Sequence, residues 1–345
     1  MRSQNYLLLV AGTIVLLLEI QIWLVKVSND EFKAVKAASV AKTTGVEKRS
    51  LAIGNDEVSD LVQQGDHTLV LYNRVPKTGS TTFMWVVYKL CSNLHYNVLH
   101  LNITNNDLIM APSDQYDFVQ NITRWRDKLP GLYHGHVAYI DFLRFGFSQP
   151  LYIQIIREPL ERLVSHYYFL RYGDNFRSHL IRSKMGDKTT FDECVQQKLY
   201  ACKPERIWLQ VGLFCGHEPQ CWKPGNEWAL MTAKHNLVSN YLLVGFTDQI
   251  PEFIAVLEAM IPRFFRGASK LYAEAGAKSH LRRTVKKDNM SDETVTIMKS
   301  SRVYRMEKDF YDFARVVFND VKRRTVPFKQ EASFHKRYHY EKIKP

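Results

Sequence analysis

A short apolar run, a loop bearing glycine and hydroxyl groups, and an amphipathic helical pattern follow one another without a break in "TLVLYN", "RVPKTGS" and "TTFMWVVYKLC", residues 68–91. Thr68 to Asn73 reads as a strand. Phe83, Val86, Val87 and Leu90 recur at the i, i+3, i+4, i+7 spacing of a helix laid on a sheet. The order then repeats. "LYIQII", Leu151 to Ile156, is nearly all apolar, as a strand covered on both faces would be. Arg157-Glu158-Pro159 follows, with Pro159 suited to a first helical turn. Leu160, Leu163, Val164, Tyr167, Tyr168 and Arg171 then mark one helical face, with Ser165, Glu161 and Arg162 on the other. From residue 67 onward the pattern is therefore α/β, with a parallel sheet flanked by helices.

The two junctions carry cations. Where a strand ends and a helix begins, unpaired backbone N–H groups and the positive end of the helix dipole converge, which suits an anion. The first junction holds Lys77, Thr78, Gly79, Ser80, Thr81 and Thr82, and the second holds Arg157. Together they imply two anionic groups, on one ligand or on two neighbours. The first loop lacks the leading glycine of a nucleoside-triphosphate loop, and no convincing magnesium-binding acid accompanies it, which disfavours a kinase. For either cation alone, a solvated charge or a helix-end ion pair is the plainer account. The shared setting favours an anion site for both.

"GLYHGHVAYIDF" adds His134 and His136, which point the same way in an extended segment. Histidine, with an unperturbed pKa near about 6.5, can accept a proton at neutral pH, as transfer to a hydroxyl requires. A His-x-His metal pair would want a third ligand that the sequence does not place. Two hydrogen-bonded core histidines are the blander alternative.

Forty-six per cent hydrophobic and 12% aromatic residues in a 345-residue chain supply ample core, and a formal net charge of +12 attracts polyanions. Nucleic acid and acidic polysaccharide both qualify, so the compartment decides between them. Residues 6–25 form a mostly apolar segment, weakened by Glu19 and Gln21, of about the length that crosses a roughly 30 Å hydrocarbon core. No Ala-x-Ala site closely follows it. We expect an uncleaved signal-anchor helix over 6–25, after a cytoplasmic tail, 1–5, and before a polar stem, 26–66. Flanking charges are nearly silent on orientation, but the sequons at Asn102, Asn121 and Asn289 suit a lumenal domain spanning 67–345. Cys194, Cys202, Cys215 and Cys221 fall close together and read, in an oxidising compartment, as two small clipped loops, with a zinc site as the alternative. Cys91, on an apolar helix face, reads as a buried free thiol.

The run Lys77 to Thr82, and Arg157 with Ser165, resemble the 5′-phosphosulfate loop and the 3′-phosphate motif of sulfotransferases that use 3′-phosphoadenosine 5′-phosphosulfate. The likeness extends to "RVPKTGSTTF", "YHGHVAYIDF", "IREPLERLVSHYYFLRYGD", "GDKTTFDECV", "LFCGHEPQCW", "IPRFFRGASKLY" and "KSHLRRT". From about Thr68 to the C terminus the chain is similar to the heparan sulfate 2-O-sulfotransferase family. That resemblance implies a sulfotransferase (P-loop-like) α/β fold in a Golgi type II membrane enzyme. It implies a homotrimer that takes heparan sulfate chains, not nucleic acid, and needs no metal. His136 matches the catalytic base and His134 a second active-site histidine. Lys77, Thr78, Gly79, Ser80, Thr81 and Thr82 match the phosphosulfate loop, with Lys77 at the leaving group. Arg157 and Ser165 match the 3′-phosphate site. Tyr272, Ser279, Thr284 and Lys287 fall where a later loop closes over the nucleotide. Arg74, Tyr88, His100, Arg177 and Arg182 match positions that face the acceptor sugar. The implied disulfides are Cys194 with Cys202 and Cys215 with Cys221.

Three positions depart from the family's pattern. Gly79 replaces a more usual Ala, Trp85 stands where an acceptor-side Asn is usual, and His166 where a Tyr is usual. An extra residue near "AEAGAKSH" leaves the register from Tyr272 to Ser279 open by one. The expected reaction is sulfuryl transfer to the 2-O position of a uronic acid, mainly iduronate, in heparan sulfate. Alternatives are a dermatan or chondroitin uronyl 2-O-sulfotransferase, and a polysaccharide-binding membrane protein without turnover.

Overall fold

Five strands, all parallel to their neighbours, form one sheet in a computed structural model that describes residues 68–101, 107–175, 177–275 and 284–326. The expected tail, anchor and stem lie outside the described residues, as do Asn102 and Ser279. The strands are β1 (Leu69–Asn73), β2 (Asn97–Leu101), β3 (Gly131–Gly135), β4 (Leu151–Ile156) and β5 (Tyr241–Phe246), in the order β2-β3-β1-β4-β5. Parallel neighbours cannot be joined by hairpins, so the chain must cross over between them.

The helices supply those crossovers and the outer layers. They are α1 (Ser80–Leu90), α2 (Pro112–Arg124), α3 (Pro159–Tyr172), α4 (Phe191–Gln196), α5 (Gln210–Cys215) and α6 (Glu227–Asn240). Then come α7 (Ile250–Met260), α8 (Pro262–Phe265), α9 (Ala268–Ala275), α10 (Asp292–Ser300) and α11 (Arg302–Thr325). No helix of the described residues is long and apolar enough to cross a membrane.

Strand register decides which helix covers which face. Tyr72 of β1 pairs with Ile153 of β4, so the two share a face, and Tyr72 meets Phe83 of α1 edge-on at 5.1 Å. Gly245 of β5 pairs with Ile155 on that same face, where a Cβ would lie 2.2 Å from the Phe253 ring of α7. Tyr152 and its partner Tyr241 point the opposite way. There Tyr241 stacks on Phe214 of α5 at 4.5 Å, and Phe214 meets Phe310 of α11 at 4.8 Å. With both faces covered, β1, β3 and β4 are buried almost throughout, as the apolar run "LYIQII" predicts.

A second apolar cluster gathers Leu160, Leu163, Val164, Tyr167 and Tyr168 of α3 with Phe191, Ile207, Met298 and Tyr304. The predicted stripe on α3 is therefore buried. The opposite side is exposed only in part: Glu161 is open to solvent. Arg162 and Ser165 are buried as well; the turn at 204–207 packs against α3, and Arg162 Nη2 donates to the Ile207 carbonyl at 3.0 Å. Disulfides join Cys194 to Cys202 and Cys215 to Cys221, the pairing that the resemblance implies, and leave no thiolate among these four for zinc. Cys91 is a free thiol, half-buried instead of buried. It falls just past the last turn of α1, with Sγ 3.3 Å from the Tyr88 carbonyl.

One topological fact positions the site. The chain moves from β1 outward to β2, returns to β3, then passes β1 to reach β4 and β5. In open α/β sheets, ligands bind outside the carboxyl ends of the strands at such a switch point. Those ends carry His100 on β2, His134 on β3, Asn73 on β1 and Ile156 on β4, followed directly by Arg74 and Arg157.

Candidate active site

The loop after β1 is built by its backbone. Lys77 has φ 71° and Gly79 φ 82°, both left-handed, a region that a lysine enters uncommonly. Gly79 is the N-cap of α1, and no acidic residue occupies the first turn of that helix. The positive end of α1 therefore keeps its pull on an anion. Thr78 is buried and donates to the Val75 carbonyl at 2.9 Å, while Ser80 accepts from the Tyr72 hydroxyl at 2.8 Å. These two side chains brace the loop from inside. Thr82 is also buried, and Thr81 half-buried. The Thr247 hydroxyl lies 3.0 Å from the Thr78 carbonyl and 3.2 Å from that of Ile156, linking the end of β5 to the loop after β1 and to the end of β4. Lys77 Nζ reaches Thr284 Oγ1 at 3.4 Å and lies 4.2 Å from the centre of the Phe169 ring.

Arg157 is held at the neighbouring strand end by its own peptide groups. Its N–H donates to Gln210 Oε1 at 3.0 Å and its carbonyl accepts from Gln210 Nε2 at 3.0 Å. Gln210 Nε2 in turn lies 3.3 Å from Glu307 on α11, a fully buried carboxylate that also accepts from the Leu209 and Val211 amides at 2.7 and 3.0 Å. Burial pushes the Glu307 carboxyl up, opposed by the charge of Arg162 and by those donors. The Arg157 guanidinium pairs with Glu161 at 3.0 Å, so the plain helix-end ion pair is present. Glu161 is 55% exposed, and such a pair is worth about 0.5 kcal/mol or less, little enough for a phosphate to displace. Ser165 is buried two turns further along α3, and Lys287 is exposed.

The two histidines adopt opposite tautomers. His136 Nδ1 lies 2.9 Å from the Arg74 carbonyl, which can only accept, so Nδ1 carries the proton and Nε2 keeps its lone pair. His134 reads the other way: the Arg74 guanidinium donates to its Nδ1 at 3.3 Å, and its Nε2 meets the Tyr88 hydroxyl at 2.8 Å. His134 is buried, and His100, its partner in register, stacks on it at 4.7 Å and 10°. Burial, the Arg74 charge and the histidines on either side hold the His134 pKa down to about 3. It is a neutral brace at physiological pH. His136 is placed to take a proton.

The remaining predicted residues divide. Arg74, Tyr88 and His100 surround His134. Arg177 and Arg182 gather on Asp174, a carboxylate with no exposed side-chain surface, through the Arg177 amide at 2.9 Å and the Arg182 guanidinium at 3.1 Å. The backbone of Asp174 also forms an isolated antiparallel β-bridge with Thr284, so the residues expected at the acceptor and in the late loop meet. Trp85 is half-buried on α1, one turn before Tyr88. His166 is half-buried on α3, its pKa lowered to about 4 by burial and by Arg162 and Lys77. Tyr272 instead packs against the main core from α9. Sequence reasoning missed Phe169, Asp174, Gln210, Thr247 and Glu307. Phe169, Gln210, Thr247 and Glu307 act through partners remote in sequence, and only the acidic Glu307 on a helix face otherwise apolar offered a signal. Among the described residues, no His, Cys, Asp and Glu group is arranged to hold a metal ion.

Comparison with known proteins shows the family. The sequence profile of the Sulfotransferase family matches residues 59–314. A Gallus gallus protein named heparan sulfate 2-O-sulfotransferase 1 is 45% identical over 348 residues, covering 100% of this chain and 96% of that protein. Its Homo sapiens namesake is 43% identical over 342 residues, covering 98% and 96%. A Drosophila melanogaster protein named heparin sulfate O-sulfotransferase is 46% identical over 281 residues, covering 81% and 80%.

Proposed function

Since the chain belongs to the Sulfotransferase family, we propose that it transfers a sulfuryl group from 3′-phosphoadenosine 5′-phosphosulfate to the 2-hydroxyl of a uronic acid, mainly iduronate, in heparan sulfate. The observation that carries the reading is the 2.9 Å bond from His136 to the Arg74 carbonyl. It fixes a proton-accepting Nε2 on His136 by anchoring the ring to Arg74, three residues before Lys77 in the loop after β1.

The donor supplies an activated sulfur: its bond to the phosphate oxygen breaks as the sugar oxygen bonds to sulfur. His136 takes the hydroxyl proton, and Lys77 meets the charge that grows on the departing phosphate. The fit of such a donor rests on two cationic junctions at adjacent strands, β1 and β4, with Gly79 opening a helix between them. Thr78, Ser80, Thr81 and Thr82 shape the 5′ cradle, while Arg157 and Ser165 take the 3′-phosphate. Thr284 and Lys287 approach from the late loop. Arg74, Tyr88, His100, Arg177 and Arg182 face the acceptor, where a guanidinium grips a carboxylate or an N-sulfate through parallel hydrogen bonds.

The same reading makes the protein a single-pass type II Golgi enzyme anchored by residues 6–25. The two disulfides and the exposed sequons at Asn121 and Asn289 support a lumenal domain. A homotrimer follows from the family likeness. The test is to incubate purified protein with radiolabelled donor and desulfated heparan, dermatan and chondroitin chains, then identify the labelled disaccharide. We expect 2-O-sulfated uronate from heparan carrying N-sulfated glucosamine. Preferential labelling of dermatan would replace the acceptor assignment, and no labelling of any chain would favour a binding protein without turnover.

A further inference from the structure

Lys77 and Arg182 serve opposite sides of the reaction on the reading above, the donor and the acceptor chain, yet they share a neighbour. Lys77 Nζ lies 4.2 Å from the centre of the Phe169 ring, and Arg182 Cζ lies 4.6 Å from it. The contacts continue around a closed circuit. Arg182 pairs with Asp174 at 3.1 Å, the Asp174 backbone forms a β-bridge with that of Thr284, and Thr284 Oγ1 is 3.4 Å from Lys77 Nζ.

Two like charges gathered at one ring repel each other, and Asp174 offsets part of that repulsion through its pair with Arg182. The electron-rich π face attracts both cations. Both side chains are also long and rich in rotamers, so holding each in one place needs a specific restraint. A leucine of similar bulk would fill the space without supplying that attraction. We infer that Phe169 is a positioning residue for the transfer, its π face holding the leaving-group lysine and the acceptor-side arginine in fixed relation to each other. The inference rests on the roles proposed above for Lys77 and Arg182.

Steady-state kinetics with both substrates varied would test it. Phe169→Leu should lower kcat and raise the acceptor KM, each roughly 3- to 10-fold, the scale of a partly desolvated cation–π contact. Phe169→Tyr should keep both constants near those of the parent. Pentafluorophenylalanine at position 169 keeps the ring's shape but reverses its charge distribution, so it should behave like leucine without harming the fold. In a Lys77→Ala background, Phe169→Leu should cost no further kcat, and in an Arg182→Ala background no further acceptor KM. The inference is overturned if the pentafluoro ring retains parental constants, or if Phe169→Leu costs the same in every background. If Lys77→Ala and Arg182→Ala themselves leave donor and acceptor constants unchanged, the proposed site roles fail instead. If those two behave as assigned while Phe169 variants stay silent, only the positioning role falls.

Discussion

On the proposed reading His136 acts on the incoming hydroxyl and Lys77 on the departing phosphate, so the two should fail in different ways when removed. His136→Ala is expected to leave nucleotide affinity largely intact while lowering turnover by roughly 10²-fold or more, the usual scale for losing a positioned base. Lys77→Ala should weaken nucleotide binding and slow turnover at saturating donor, since the charge it meets grows toward the transition state. Calorimetry with the product nucleotide beside steady-state rates separates the two; parallel loss of both quantities in His136→Ala would count against a base. His134 gives a third signature. Already neutral, with its pKa held to about 3 by burial and Arg74, it cannot produce a limb near neutrality in the pH profile of kcat/KM. At this scale the sequence was informative about which residue types assemble and silent about their division of labour. The alternation of His134 and His136 is visible in "YHGHV". Which ring nitrogen each presents depends on Arg74, sixty positions earlier, whose carbonyl serves one histidine and whose guanidinium serves the other.

The junction of β1 and α1 is the element on which the donor site depends, and Gly79 is its hinge. A side chain there would sit at φ 82°, with its Cβ 3.0 Å from Ile250 Cδ1 on α7. Gly79→Ala, the residue more usual in the resembling family, should therefore destabilise this chain by about 1 kcal/mol. Denaturant unfolding would show the loss as a lower midpoint at unchanged slope. An unchanged or raised midpoint would mean that the loop relaxes out of the left-handed region at no cost. The strand-loop-helix pattern of this element was legible because period and composition are local: Phe83, Val86, Val87 and Leu90 are all buried as their spacing requires. For α3 the same logic placed the apolar stripe correctly but left Ser165 and Arg162 outside. The turn at 204–207 accepts from Arg162, which also feels a carboxylate at Glu307 that no local pattern connects to it. Sequence periodicity reports the face a helix turns to its first partner, not the number of partners it acquires.

At the scale of the whole molecule, neutral histidines that are buried or half-buried tie folding to pH. His134 is held to about 3, and His166 and His217 to about 4, in each case chiefly by burial. Two of the three also use Nδ1 as an acceptor, from Arg74 in His134 and from the Met110 amide in His217, a role that protonation abolishes. The folded chain therefore binds fewer protons than the unfolded chain once the pH drops below the ordinary histidine range near about 6.5. Stability from these groups is fully present above that pH and is lost as the pH falls toward 4. Glu307, with its pKa raised by burial, pulls the other way, but only around the carboxylate range. A net charge of +12 adds self-repulsion in the same direction as the histidines, and salt separates the two effects, because screening acts on exposed charges and barely on buried ones. In about 0.5 M salt, denaturant unfolding should still show stability falling between pH 7 and pH 5, with a slope of up to about 1.4 kcal/mol per pH unit for each histidine that titrates. His166→Tyr should flatten that slope by about one histidine's share while leaving stability at pH 7.5 less affected. A profile flat from pH 7 to pH 5 at high salt would mean that these imidazoles accept protons without unfolding, and that their burial is looser than the packing around α3 and β3 implies.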